Sequence, residues 1–186
     1  IAGGVSTASF FNAIAQGIDV KIIADKGHNV PGKSYFTFVI GNHMVDEIKD
    51  YPDFKGKKIA VSSHNSIDEY IFEEMIKHAG LTKEDVEFVL MSDFGSMLGA
   101  IDSGTIDAAL SIEPLIAQGV DKGFHVRFGD TTDYAPESQI ALVLGSPKFM
   151  GEEQDVSLRF MAAYLKGVRD YNDAFIKGIG KDEVID

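Results

Sequence analysis

Apolar residues in this chain recur with two periods, and the two alternate. Ile59-Ala60-Val61 is a short continuous apolar run, as in a strand covered on both faces. After the polar Ser62-Ser63-His64-Asn65, the spacing changes. Ile67, Tyr70, Ile71, Met75, Ile76 and Ala79 fall on one helical face, with Asp68, Glu69, Glu73, Glu74 and Lys77 on the other. Ser66 followed by Glu69 reads as a capping box and Gly80 as the stop, which predicts a helix from Ile67.

The same alternation extends through the chain. Gly3-Gly4-Val5-Ser6-Thr7 reads as a turn, residues 8–16 as a short helix closed by Gly17, and residues 20–24 as a strand. Residues 35–40 predict a long strand, 86–91 another, 94–101 a short helix, and 106–112 a strand. Pro114 suits the first turn of a helix reaching about Lys122. Residues 126–128 and 139–144 are further strands, and residues 156–176 a long helix with Leu158, Met161, Leu165, Val168 and Phe175 inward. Strand alternating with helix predicts an α/β fold with mostly parallel sheets.

In such folds small ligands gather beyond the carboxyl ends of the strands. Residues 62–66 occupy such a position, so Ser63, His64, Asn65 and Ser66 are candidate contacts, although Ser66 alone could simply cap the helix. Ser6 or Thr7 is the natural cap of the first helix, whose opening turn carries no acid and leaves N–H groups for an anion. Glu113, at the end of strand 106–112, either complements a helix dipole or meets a ligand.

Two catalytic patterns fail on context. Gly27 to Ser34 matches the nucleotide-binding P-loop, but strand-forming residues 35–40 follow where that loop needs a helix. Gly4-Val5-Ser6-Thr7-Ala8 half-matches a nucleophile elbow with alanine in place of the last glycine, and no His or Asp can be assigned to a triad, so Ser6 is treated as a cap or contact.

Composition narrows the partners. A net charge of −12 argues against nucleic acid or an anionic membrane as the main partner. The absence of cysteine removes thiol chemistry and cysteine-bound metals within these residues, and the five histidines show no metal spacing. No cofactor is expected. At 186 residues the chain suits one domain or two small lobes, and Ile1-Ala2-Gly3-Gly4 reads as the start of a processed or partial chain.

Several segments in order, Gly3-Gly4-Val5-Ser6-Thr7, residues 13–20, residues 54–61, residues 103–109 and Glu113-Pro114, resemble the NMT1/THI5-like solute-binding proteins, which include SsuA/TauA-like components of ABC importers. The resemblance implies a type II periplasmic-binding fold, two α/β lobes joined by two crossover strands. Residues 1–41 and 137–186 would form an incomplete lobe 1 and residues 42–136 lobe 2, with strands 35–40 and 139–144 crossing. It further implies capture of a sulfonate, taurine, nitrate or thiamine-pyrimidine precursor by closure of the lobes, and delivery to an ABC permease. The binding protein would be a monomer and not an enzyme, in the periplasm or otherwise extracytoplasmic, with a lipid anchor on a longer chain as a variant. Ser6 and Thr7 would stand on one wall, Ser63, His64, Asn65, Ser66 and Glu113 on the other. An acidic ligand group would face Ser6-Thr7, and an amine would face Glu113. The same fold hosts THI5-type and menaquinone-pathway enzymes and sensory modules, which remain the alternatives.

Overall fold

Four of the five residues of Thr37-Phe38-Val39-Ile40-Gly41 are buried. In a computed structural model, which describes residues 1–185, this strand (β3) lies inside a five-stranded sheet. Its neighbours are β6 (Ala108–Ser111) and β7 (His125–Asp130), both antiparallel to it. Beyond β6 lie β4 (Lys58–Val61) and then the edge strand β5 (Glu87–Leu90), both parallel.

The two-residue side-chain period of these strands sorts the core into two layers. Phe38, Ile40, Ile59, Val61 and Leu110 face one way, onto Phe54, Ile71, Phe72, Met75 and Ile76. The last four come from α2 (Ile67–His78). Val39, Ala60 and Ala109 face the other way, onto Met97 and Ile101 of α3 (Phe94–Asp102) and Ile116 of α4 (Leu115–Asp121). The alanines give the second layer less depth, which brings α3 and α4 close to the sheet.

A second sheet has three strands in the order β1 (Ala2–Ser6), β8 (Gln139–Gly145), β2 (Lys21–His28), all antiparallel. Its central strand β8 buries Ile140 to Leu144. Helices α1 (Thr7–Ala15) and α5 (Gln154–Phe175) accompany it, and a short α6 (Lys181–Ile185) follows. No described helix is long and apolar enough to cross a membrane.

Several expectations change. Of the stretch Gly3 to Thr7, read as a turn, Gly3 to Ser6 belong to β1, because Gly4 takes a positive φ of 75° and the register slips between Gly3 and Val5, so the glycines make a bulge within a strand. Parallel pairing is confined to β4–β5 and β4–β6, since β3 enters its sheet from the other direction. The inward stripe of α5 is open. Leu158, Leu165, Val168 and Phe175 are exposed, and only Ser157 and Ala174 of this helix are buried. A sheet three strands wide cannot cover 22 helical residues, and α5 meets β2 across a groove of about 760 Å³ instead of a packed seam. Asp186, the end of the expected lobe 1, lies outside the described residues.

On α2 the buried face is rotated from the expected one. Tyr70 is exposed, whereas Phe72, Asp68 and Glu69 are buried. The sheet takes up Phe72, and the two acids turn back toward the preceding loop, where backbone donors await them.

His125, at the start of β7, is 1% exposed, and its imidazole packs against Gly119 of α4. Its Nε2 donates to the Ile116 carbonyl at 3.1 Å, while Nδ1 has no partner among the described residues. Burial holds its pKa below the ordinary 6.5, with the nearby Arg127 charge acting the same way. The folded protein therefore binds fewer protons here than the unfolded chain, so stability rises with pH through this window. Stability is expected to be full above pH 6.5 and to fall by up to about 1.4 kcal/mol per pH unit as pH drops toward the lowered folded value. Urea midpoints measured from pH 8 to pH 5 check this, and His125→Asn should flatten the slope. An unchanged slope in that variant would assign the loss to another group.

Candidate functional site

The loop between β4 and α2 is held by the acids of α2. The Asp68 carboxylate accepts from the Ser62 backbone N–H at 2.5 Å and from the Ser62 hydroxyl at 2.7 Å. Glu69 accepts from the backbone N–H of Asn65, whose φ of 56° is left-handed. It also accepts from Lys83 Nζ at 2.9 Å and lies 3.4 Å from His64 Nδ1. Burial alone would push the Glu69 pKa up, but the bonds from Lys83, Asn65 and His64 outweigh it and hold the carboxyl below its ordinary value. Ser66 caps α2 as expected, with its hydroxyl accepting from Glu69 N–H at 3.4 Å and donating to the Ser63 carbonyl at 2.6 Å. Glu69 closes its bond on Asn65 instead of Ser66, one residue earlier than a capping box requires.

This loop faces the β1–α1 turn across a cleft of about 420 Å³. On one wall are Gly4, Val5, Ser6 and Ser9, with Ile140 and Ala141 of β8. The opposite wall is built from the carboxyl ends of three neighbouring strands: Ser62 and Ser63 after β4, Ser92 and Phe94 after β5, and Ile112 after β6. Ile67 and Asp68 complete that wall, and Tyr35 and Phe36 lie where the chain passes from β2 to β3. The interior is an apolar belt with hydroxyls on both sides, of a size that suits a small organic molecule. The Ser63 and Ser92 hydroxyls have no hydrogen-bond partner among the described residues.

Ser6 is the N-cap of α1, accepting from Ser9 N–H at 3.1 Å and donating to Ser9 Oγ at 2.8 Å. No acid stands in the first turn of α1, so its positive end is uncompensated. Thr7 donates to the Gln139 carbonyl at 2.7 Å, tying α1 to β8. It lies in an adjoining groove of about 510 Å³ between α1 and α2, together with Asn65 and Ser66.

Of the residues singled out from sequence, then, Ser6 and Ser63 share the cleft, and Thr7, Asn65 and Ser66 share the groove beside it. His64 is largely exposed on the far side of Glu69. Glu113 pairs with Arg127 and accepts from Ala117 N–H at 3.2 Å, outside both cavities. The Arg127 guanidinium holds its carboxyl below the ordinary value. The sequence reading passed over Asp68, Ser92, Phe94, Tyr35 and Phe36. Ser92 and Ile112 had a signal, since they end strands as Ser62 does. No group of three metal-ligating side chains occurs among the described residues.

The arrangement resembles solved structures at low identity. The ligand-binding component of an ABC-type import system from Staphylococcus aureus, solved with zinc bound, superposes with a TM-score of 0.71 at 15% identity, over 84% of this chain and 52% of that one. The periplasmic aliphatic sulphonate-binding protein SsuA from Escherichia coli gives 0.67 at 17% identity, over 94% and 57%. The alkanesulfonate-binding protein SsuA from Xanthomonas axonopodis pv. citri, bound to MOPS, gives 0.64 at 15%, over 88% and 61%. These likenesses are of fold, the type II periplasmic-binding arrangement, and the chain spans a little over half the length of these proteins. No curated protein sequence matches it. The family model described as NMT1/THI5 like matches residues 6–173, nearly the whole chain, and the chain belongs to that family.

Proposed function

We propose that this protein is the solute-binding component of an ABC importer, taking a small organic molecule into the cleft between its two sheets without chemical change. The observation that carries the reading is the cleft itself. Three parallel strand ends and the N-terminus of α1 face each other across it, and each wall offers at least one serine hydroxyl. The family and the fold of the import-system components similar to it support the same reading.

In this reading the three-stranded sheet with α1 and α5 is one lobe, and the five-stranded sheet with α2, α3 and α4 is the other. The passages through Tyr35-Phe36 and into β8 absorb the rotation as the lobes close. Ser6 and Ser63 meet the solute from opposite sides. Thr7, Asn65 and Ser66, in the adjoining groove, come together as α1 approaches α2. A sulfonate, carboxylate or nitrate would face the α1 N-terminus, where no acid opposes it. The protein acts as an extracytoplasmic monomer, and its closed form is what a membrane permease receives.

Native mass spectrometry on gently purified protein, followed by denaturing release, tests this. A single released small molecule, re-binding at 1:1 without turnover, is the expected result. Conversion of the released compound on re-addition would instead favour an enzyme on the same fold.

A further inference from the structure

Among the described residues two carboxylates are buried, side by side in the first turn of α2, and they differ in one respect. Glu69 carries a cation, Lys83. Asp68, 1% exposed, has no cationic partner among the described residues, and it is the one that lines the cleft. Its oxygens each accept one bond from Ser62, and a carboxylate has about four acceptor positions, so about two remain. The Ser62 donors and the N-terminus of α2 account for how the charge is tolerated. They do not neutralise it. A buried charge is stabilised by a counter-charge or by strong donors.

Resting on the solute-binding reading, the geometry points to Asp68 as the residue that selects the solute: the ligand carries a protonated amine or a comparable N–H donor, and that nitrogen sits on the Asp68 carboxylate. This reassigns the amine partner from Glu113. Arg127 already occupies Glu113, and Glu113 lies outside the cleft. A solute whose only polar group is anionic would bring like charge toward Asp68 in a closed, poorly hydrated space, so such compounds are discriminated against unless an amine accompanies the acid.

The test uses matched pairs that differ by one amine: 2-aminoethanesulfonate against ethanesulfonate, 3-aminopropanesulfonate against propanesulfonate, and β-alanine against propanoate. Isothermal titration of the wild-type protein at pH 7 is expected to show the aminated member of at least one pair binding ten times more tightly or better than its partner. Asp68→Asn, which keeps the shape and an acceptor for Ser62, should bring the two members within about threefold, by weakening the aminated member and tightening the unaminated one. Equal loss for both members would show that Asp68 only holds the loop. If the variant does not fold, the wild-type pairs still decide. Equal or tighter binding of the unaminated members overturns the inference while leaving solute binding intact. If no pair binds, the compound released from native protein is the arbiter, and one without an N–H donor overturns the inference. No binding and no released compound would overturn the solute-binding reading, and the assignment of Asp68 with it.

Discussion

Phe38→Ala is expected to destabilise the protein by about 3–5 kcal/mol, the largest effect of any single truncation considered. Phe38 is fully buried in the middle of β3 and paired in register with Leu110 on one side and Gly129 on the other. Its ring is at the centre of an aromatic cluster, with centroids 5.1 Å from Phe72, 6.1 Å from Tyr134 and 6.3 Å from Tyr51. Gly129 opposite it offers no side chain to fill the void. The flanking strands cannot close in either, because β3 is hydrogen-bonded on both edges. A cavity would therefore persist, and its cost adds to the lost transfer energy. A domain of this size has about 5–15 kcal/mol in total, so roughly a fifth or more of its stability would go. Urea titration should show a lower midpoint with an unchanged slope. A loss under about 1 kcal/mol would mean that the aromatic cluster repacks.

Phe38 also shows why so much of the fold was legible in the sequence. The runs at 37–41, 59–61 and 108–111 are strands because apolar, β-branched or small residues stand at consecutive positions, and a sheet covered on both faces wants both parities filled. The helix stop at Gly80 was visible because the chain there takes a φ of 76°, where other residues are strained. Pairing direction was not visible. Nothing in residues 35–41 states that β3 enters against β6, because that depends on where the chain returns from, and β2 brings it from the other sheet. The stripe on α5 was read correctly as apolar but wrongly as covered, since amphipathicity reports a preference for burial and not the presence of a surface to meet it.

The site was legible as a place more than as a set of side chains. The rule that ligands gather at strand carboxyl ends led to the loop after β4, and the rule that acid-free helix starts attract anions led to Ser6. The failures come from charge. Asp68 and Glu69 were assigned to solvent because carboxylates on an amphipathic helix usually face it, yet here the loop before the helix turns its N–H groups toward them. Glu113 stood out because it follows a strand and precedes a helix, and Arg127, fourteen residues later on β7, is the partner no local pattern reveals.

Glu69→Ala is the second large effect expected, a loss of about 1–3 kcal/mol. The carboxylate is 2% exposed and joins three segments: the loop at Asn65 and His64, α2 itself, and Lys83 on the turn before β5. Removing it leaves the Asn65 N–H without its acceptor while that residue sits at a positive φ, a conformation the bond helps to hold. Lys83 keeps Glu73, at 2.7 Å, so the surface part of the network survives and contributes little to the loss. The damage is thus concentrated between Ser62 and Ser66, which borders both the cleft and the adjoining groove. Glu69→Gln keeps an oxygen for Asn65 and should recover more than half of the stability. Hydrogen exchange at the Asn65 amide, read beside urea midpoints for both variants, separates the alternatives. Faster exchange at Asn65 in the alanine variant, slowed again in the glutamine variant, is the expected pattern. Unchanged exchange in both would mean that the loop is held by Asp68 and Ser66 alone, and that Glu69 serves only as an anchor for Lys83.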